Sequence, residues 1–274
     1  MNSPSGRPDP DLLRFEHRIW EAGYVCIAGV DEAGVGPLAG PVIAAAVILP
    51  ARLPLPGIQD SKTLSSRRRS ELEPLIKKHA LAIGIGEADV EEIKEQNIFQ
   101  ASLRAMQRAL FQLNLPPDYV LVDARHIPDI PWPQEKIIHG DALSQSIAAA
   151  SILAKEHRDR LMCDYDRQYP QYGFRKHKGY PTPAHQRALL EHGPCPIHRT
   201  SFRSLDDFTG YCHPLYYQIK SEIHQAGNQK DCHGLATRLA ECSSRLSSAE
   251  NHKLRELLRR AANRFAVKSL LPQP

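Results

Sequence analysis

The chain has 274 residues, of which 42% are hydrophobic and 24% charged, and its net charge is +4. These values suit a globular protein with one substantial core and exclude a collagen-like repeat or a disordered polyelectrolyte. The longest apolar stretch, residues 42–49, is too short to span a bilayer as a helix. The first twenty residues carry Pro4, Pro8 and Pro10 where a secretory signal needs an unbroken apolar core, so a cytoplasmic location is expected.

Asp9 and Pro10 ahead of Leu12, Leu13, Ile19 and Trp20, with Gly23 behind, predict a short helix. Residues 24–31 predict a strand, broken by Gly34, Gly36 and Pro37. Residues 42–49 predict a second, so uniformly apolar that helices must cover both of its faces. Periodicity then predicts a helix over 65–79, a strand over 80–86, a helix over 98–113, a strand over 119–123, and another at Ile137 and Ile138. An alanine-rich helix follows over 145–166. This order implies an α/β protein with a central mixed β-sheet flanked by helices.

Beyond it lies a stretch rich in Tyr, Pro and His over 169–199, with a short helix at 183–192. Ser247 and Glu250 form a capping-box pattern that opens a helix reaching Phe265, with Leu254, Leu257, Leu258, Ala261, Ala262 and Phe265 on one face. Three regions are therefore expected: an N-terminal helix (1–23), an α/β domain (24–210) and a basic helical C-terminal extension (211–274). From Cys212 onward ten basic residues stand against five acidic ones. A solvated basic face is the plainer reading, and a polyanionic partner is the alternative.

Six cysteines without a CxxC pair read as reduced thiols. Cys195 and His198 followed by Cys212 and His213 could in principle bind zinc, but their spacing fits no common zinc motif.

The acidic residues carry more information. Asp31 and Glu32 end an apolar strand, Asp123 ends residues 119–123, and Asp141 stands at the mouth of a helix. If these strands share a sheet, the carboxylates gather at one rim, where ligand sites of α/β folds form. With no lysine or arginine expected among them, they would repel one another unless cations intervene. Hard oxygen donors select Mg²⁺ or Mn²⁺, ions suited to phosphoryl chemistry, and two of them about 4 Å apart can serve the attacking and leaving oxygens. A lone strand-end aspartate is more often a loop cap; the combination is what argues for a site.

The string Gly29-Val30-Asp31-Glu32-Ala33-Gly34, with Asp60-Ser61-Lys62, Val122-Asp123-Ala124, Gly140-Asp141-Ala142, residues 147–155 and Lys178-Gly179-Tyr180-Pro181, resembles the type 2 ribonucleases H. The likeness runs over residues 24–202. It implies a ribonuclease H-like fold, metal binding and catalysis by Asp31, Glu32, Asp123 and Asp141, and RNA/DNA hybrid or ribonucleotide-containing duplex DNA as substrate. Cleavage 5′ of a ribonucleotide would leave a 3′-hydroxyl and a 5′-phosphate, with two ions, Mn²⁺ or Mg²⁺, in the complex. A monomer without membrane association is expected.

The resemblance also implies that Gly34, Val35 and Gly36 meet the ribose 2′-hydroxyl through their backbone, that Ser61 and Lys62 contact the nucleic-acid backbone, and that Tyr180 packs on the neighbouring deoxyribose. For Ser61 and Lys62 the plain alternative is an ordinary turn, and for Tyr180 a core tyrosine. The family commonly has arginine where this chain has Val35, glycine at Ala124, and lysine at His139 and Leu143. Type 3 enzymes also lack the arginine, so weak junction preference is one alternative; a hybrid-binding protein without activity is the other.

Overall fold

The computed structural model describes residues 11–202, 214–246 and 248–268. Five strands, β1 (Ile27–Ala33), β2 (Val42–Ile48), β3 (Ala82–Ala88), β4 (Tyr119–Asp123) and β5 (Gln134–Ile137), form one sheet in the order β3-β2-β1-β4-β5. The first three are mutually antiparallel, whereas β4 runs parallel to β1 and β5 to β4. The sheet is therefore mixed, as the element order implies.

Helix α1 (Arg14–Glu21) precedes the sheet; α2 (Ser66–His79), α3 (Val90–Phe111) and α4 (Gln145–Gln168) cover it. Every residue of β2 is buried. Its Val42, Ala44, Ala46 and Ile48 pack toward α3, and Ile43, Ala45 and Val47 pack toward α2 and α4. The uniformly apolar sequence thus becomes a strand buried on both faces.

Some boundaries depart from the sequence reading. Helix α3 starts eight residues before Ile98, under an Asp89/Glu92 capping box, and Asn97 at φ 69° kinks it where the sequence suggests a start. Asp9 and Pro10, read as the first helix's cap, and Ser247, read as a capping-box residue, lie outside the described residues.

Helix α1 stabilises the helix beneath the site. The buried Glu16 carboxylate accepts hydrogen bonds from the Ser144 hydroxyl at 2.7 Å and the Ser146 N–H at 3.0 Å, at the start of α4. A carboxylate there satisfies orphan amides and complements the helix dipole. Ile19 packs with Leu121, Ile137 and Ile147, joining α1 to the same core.

After α4 come α5 (Phe174–His177) and α6 (Pro183–His192), then α7 (Pro214–Gln225), α8 (Gln229–Glu241) and α9 (Ser248–Lys268). Leu254, Leu258 and Ala261 of α9 are buried against α7 and α8, while Lys253, Arg255, Arg259, Arg260 and Arg264 are exposed. The sequence reading left α7 and α8 unassigned, although Asn228 and Asp231 form a capping box ahead of α8.

Glu16→Ala leaves the Ser146 amide and Ser144 hydroxyl buried without their acceptor. The expected loss is about 1–3 kcal/mol of unfolding free energy, read as a lower midpoint in a thermal or urea melt.

Candidate active site

Strand pairing explains how acids far apart in sequence meet. Val30 lies beside Val122 in the parallel β1–β4 pair, so Asp31 and Asp123 follow one step further along neighbouring strands. Alternation sets their directions: Ala28, Val30, Val120 and Val122 pack toward α3, which turns Gly29, Asp31, Leu121 and Asp123 toward α4. At Gly29 a Cβ would stand 2.1 Å from the Ser146 carbonyl carbon, so only glycine allows α4 this close to β1.

Asp141 sits in the 3-10 turn Gly140–Ala142 ahead of α4. The Gly140 N–H donates to Asp123 Oδ1 at 2.7 Å, which links the third acid to the turn that carries the fourth. Asp31 Oδ1 accepts the Glu32 N–H at 2.7 Å, and the nearby Ser151 hydroxyl of α4 favours its charged form. Ser151 in turn shares a 2.7 Å hydroxyl contact with the buried Ser61. The Ser61 side chain is thus buried against α4.

The sequence reading expects no cation among the acids, and here the structure corrects it. Lys62 Nζ lies 3.2 Å from Asp141 Oδ2, and Arg125 Nη2 lies 3.2 Å from Glu32 Oε1. Arg125 also stands over the Phe99 ring at 5.0 Å. A turn lysine and a lone arginine after β4 give no sign in the sequence of the carboxylates they meet.

Two cations do not neutralise the nest. Burial foremost, then the charges of Glu32, Asp123 and Asp141, push the Asp31 carboxyl well above its ordinary range against the Ser151 bond. Burial also raises Glu32 against Arg125, with Asp123 adding to the rise. Asp123 is raised by burial, against the Gly140 amide and with Asp141 adding. Burial pulls Lys62 down, but the Asp141 charge and hydrogen bond outweigh it, aided by Asp31 and Asp60, and leave it at about 12. The site is short of positive charge.

Asp31 Oδ2 and Glu32 Oε2 are buried without a hydrogen-bond partner. Among the described residues no three Asp, Glu, His or Cys side chains are already placed to hold a metal ion together. An open nest of carboxylates with orphaned oxygens fits a hard divalent cation that completes its coordination with water and phosphate.

The residues expected to read substrate lie beside a second loop. Gly34, at φ 101°, allows no side chain, because a Cβ would stand 2.2 Å from Arg158 Nε. Val35 is half-buried and Gly36 exposed. Tyr180 is 42% exposed, so it is not a core tyrosine, and its Cε1 would lie 3.7 Å from a Cβ on Gly36. Lys155 Nζ stands 5.9 Å from the Tyr180 ring centre. Leu38 N–H donates to the Gly179 carbonyl at 2.8 Å and joins the two loops.

Cys195 Sγ lies 3.1 Å from His198 Nδ1, while Cys212 and His213 fall outside the described residues. Burial pushes the Cys195 thiol up to about 11.

The five-strand mixed sheet with acids at the β1 and β4 ends has a ribonuclease H-like fold. The match to the family described as ribonuclease HII covers residues 28–205. The chain is 53% identical over 199 residues to the ribonuclease HII of Geotalea uraniireducens, spanning 73% of this chain and 92% of that protein. Its identity to that of Myxococcus xanthus is 53% over 210 residues, 76% of this chain and 72% of the relative. Among solved structures, the ribonuclease H2 from Pyrococcus horikoshii OT3 superposes with a TM-score of 0.59 at 23% identity, covering 70% and 98% of the two chains. Bst-RNase HIII in complex with Mn²⁺ gives 0.55 at 17% identity, covering 74% and 74%. The chain belongs to the ribonuclease HII family, and with it to the metal-dependent endonucleases that act on RNA/DNA.

Asp31→Asn keeps an oxygen acceptor for the Glu32 N–H but removes one negative charge from the crowd. In metal-free buffer its melting temperature is expected to rise a few degrees, about 1 kcal/mol, while cleavage falls on the order of a hundredfold or more. Differential scanning calorimetry and a hybrid-cleavage assay read the two effects.

Proposed function

We propose that the chain hydrolyses the phosphodiester 5′ of a ribonucleotide in RNA/DNA hybrid or in duplex DNA with embedded ribonucleotides, leaving a 3′-hydroxyl and a 5′-phosphate. Asp31, Glu32, Asp123 and Asp141 are the metal-holding and catalytic acids of this reading. The observation that carries it is Asp31, buried among three further carboxylates with one oxygen unpartnered. When bound, two divalent ions, Mn²⁺ or Mg²⁺, would supply an activated water and stabilise the leaving oxygen.

The chain's own groups hold the acids in place. Ser151, backed by Ser61, orients Asp31; the Gly140 amide orients Asp123; Lys62 steadies Asp141 and Arg125 steadies Glu32. Lys62 is 72% exposed along its side chain and can also meet a nucleic-acid phosphate. The exposed Gly36 backbone and the Tyr180 ring provide a surface for a ribose and its deoxyribose neighbour.

Val35 favours a second reading of specificity. A guanidinium at this position would pair with phosphate, and its absence supports weaker preference for a single embedded ribonucleotide over a continuous RNA tract, as in type 3 enzymes. The setting proposed is a cytoplasmic monomer on nucleic acid; no described helix is long and apolar enough to cross a membrane. An Archaeoglobus fulgidus RNase HII, 27% identical with a TM-score of 0.53 over 61% of this chain and 88% of that one, was solved bound to PCNA.

The deciding assay compares DNA carrying one ribonucleotide with a continuous hybrid, each with Mg²⁺ and with Mn²⁺. Val35→Arg is expected to raise the ratio of single-site to tract cleavage severalfold; an unchanged ratio removes the second reading.

The extension is proposed to add phosphate attraction. Arg255 and Arg259 on α9 are exposed and have no ion-pair partner among the described residues. Reversing both to Glu is expected to weaken hybrid binding and to reduce the slope of log affinity against log salt by about 2. Unchanged slopes in a fluorescence-anisotropy titration would assign the basic face to solvent alone.

A further inference from the structure

Arg158 of α4 and Arg199, just after α6, are fully buried and yet have no carboxylate partner among the described residues. A buried cation without a counter-charge is costly, so its hydrogen bonds must be abundant and well placed. Both guanidiniums donate to main-chain carbonyls. Arg199 reaches those of Gly34, Val35, Pro37, Gly40 and Pro41 at 2.5 to 3.2 Å. Arg158 reaches Pro41 at 3.1 Å, Ala39 at 2.9 Å and Lys178 at 3.0 Å. The Arg199 N–H takes the Leu38 carbonyl at 2.8 Å, and the Arg199 guanidinium sits 5.3 Å from the Phe202 ring centre.

Seven of the eight carbonyls over residues 34–41 are thus drawn inward to these two arginines. In a trans peptide unit the N–H points opposite to the C=O. With the Gly34 and Val35 carbonyls turned in, the Val35 and Gly36 amides are turned out. Neither of them has an acceptor among the described residues. A positive charge at the carbonyl end of a peptide unit polarises it and makes its N–H a stronger donor. Burial pulls both guanidiniums down, Arg199 to about 9 and Arg158 to about 10, which leaves both charged at neutral pH.

We propose that Arg199, with Arg158 behind it, is a positioning residue for substrate selection: it locks and polarises residues 34–36 so that the Val35 and Gly36 amides meet the ribose hydroxyl and adjoining phosphate of the ribonucleotide. This rests on the reading that this loop faces the ribonucleotide. It assigns to two buried side chains part of the positive potential that a side chain at position 35 does not provide. Arg158 also holds the Lys178 carbonyl, so the same pair fixes the distance between the loop and Tyr180.

The experiment measures kcat and KM on duplex DNA with one ribonucleotide and on a continuous hybrid, for Arg199→Lys, Arg199→Gln and Gly36→Ala. Circular dichroism checks folding, and the Mn²⁺-induced rise in melting temperature checks the acid nest. A Cβ at Gly36 would meet the Tyr180 ring at 3.7 Å, an ordinary van der Waals contact, so Gly36→Ala alters the loop's outer surface without a clash.

Arg199→Lys, which keeps the charge but not the fork, is expected to raise KM for the single ribonucleotide at least tenfold with a smaller change in kcat. Arg199→Gln is expected to lose more, and both should keep the wild-type Mn²⁺ shift. A purely structural residue would depress cleavage of both substrates and the metal shift together. If Gly36→Ala cleaves normally, the reading of the loop fails, and the proposal with it. If Gly36→Ala is impaired while folded Arg199 variants match the wild type, the loop reading stands and the clamp is overturned. Failure of both Arg199 variants to fold would make Arg199 a fold residue and likewise overturn the proposal.

Discussion

The structure depends on the confinement of negative charge at the end of β1. Asp31 is almost fully buried, accepts only weakly compensating hydrogen bonds, and faces Glu32, Asp123 and Asp141. Crowding of this kind lowers the stability of the metal-free chain, because protonation or cation binding is the only full relief. The surrounding fold must therefore hold the acids rigidly from behind. The all-apolar β2 supports β1 on one side, Gly29 brings α4 against it, and Glu16 fixes the start of α4. Each of these packing features secures a strand that would otherwise relax away from its own charges.

Much of this was legible because the strands are apolar and the acids interrupt them. A carboxylate directly after Tyr119 to Val122, or inside the run before Gly34, has no reason to be there if hydrophobic patterning alone governs the sequence. The β2 strand was legible for the same reason, since an unbroken run of Val, Ile and Ala demands cover on both faces. The α9 stripe of Leu254, Leu258 and Ala261 was legible as a period of 3.6 residues and is the stripe that is buried.

What was hidden is the cationic half of the site. Arginine and lysine are ordinarily surface residues, so Arg125, Arg158 and Arg199 carry no mark in sequence that distinguishes them from the exposed arginines of α9. Their partners are main-chain carbonyls or acids brought near by tertiary structure alone, at separations no periodicity reports. The partner of the Ser61 hydroxyl was hidden for a related reason: it is Ser151, 90 residues away, and not a neighbour in the turn that contains it. Helices α7 and α8 bury their apolar residues against each other and against α9, so neither shows a decisive stripe when read alone.

The two buried charge systems lie on either side of one short loop. Asp31 and Glu32 precede it, and Arg158 and Arg199 lie beneath it, yet no ion pair links them. Residues 34–41 prevent that pairing because their carbonyls occupy the guanidinium donors. Direct Arg-to-Asp pairs would neutralise both systems and leave little to attract a phosphate or a metal ion. With the peptide units between them, Asp31 and Glu32 keep unpartnered oxygens, which the proposed function gives to cations, while the loop's outward amides keep donors, which it gives to an anionic or hydroxyl-bearing ligand. The backbone thus works as an insulator that keeps opposite charges apart, and both remain available to a substrate that carries phosphate and ribose together.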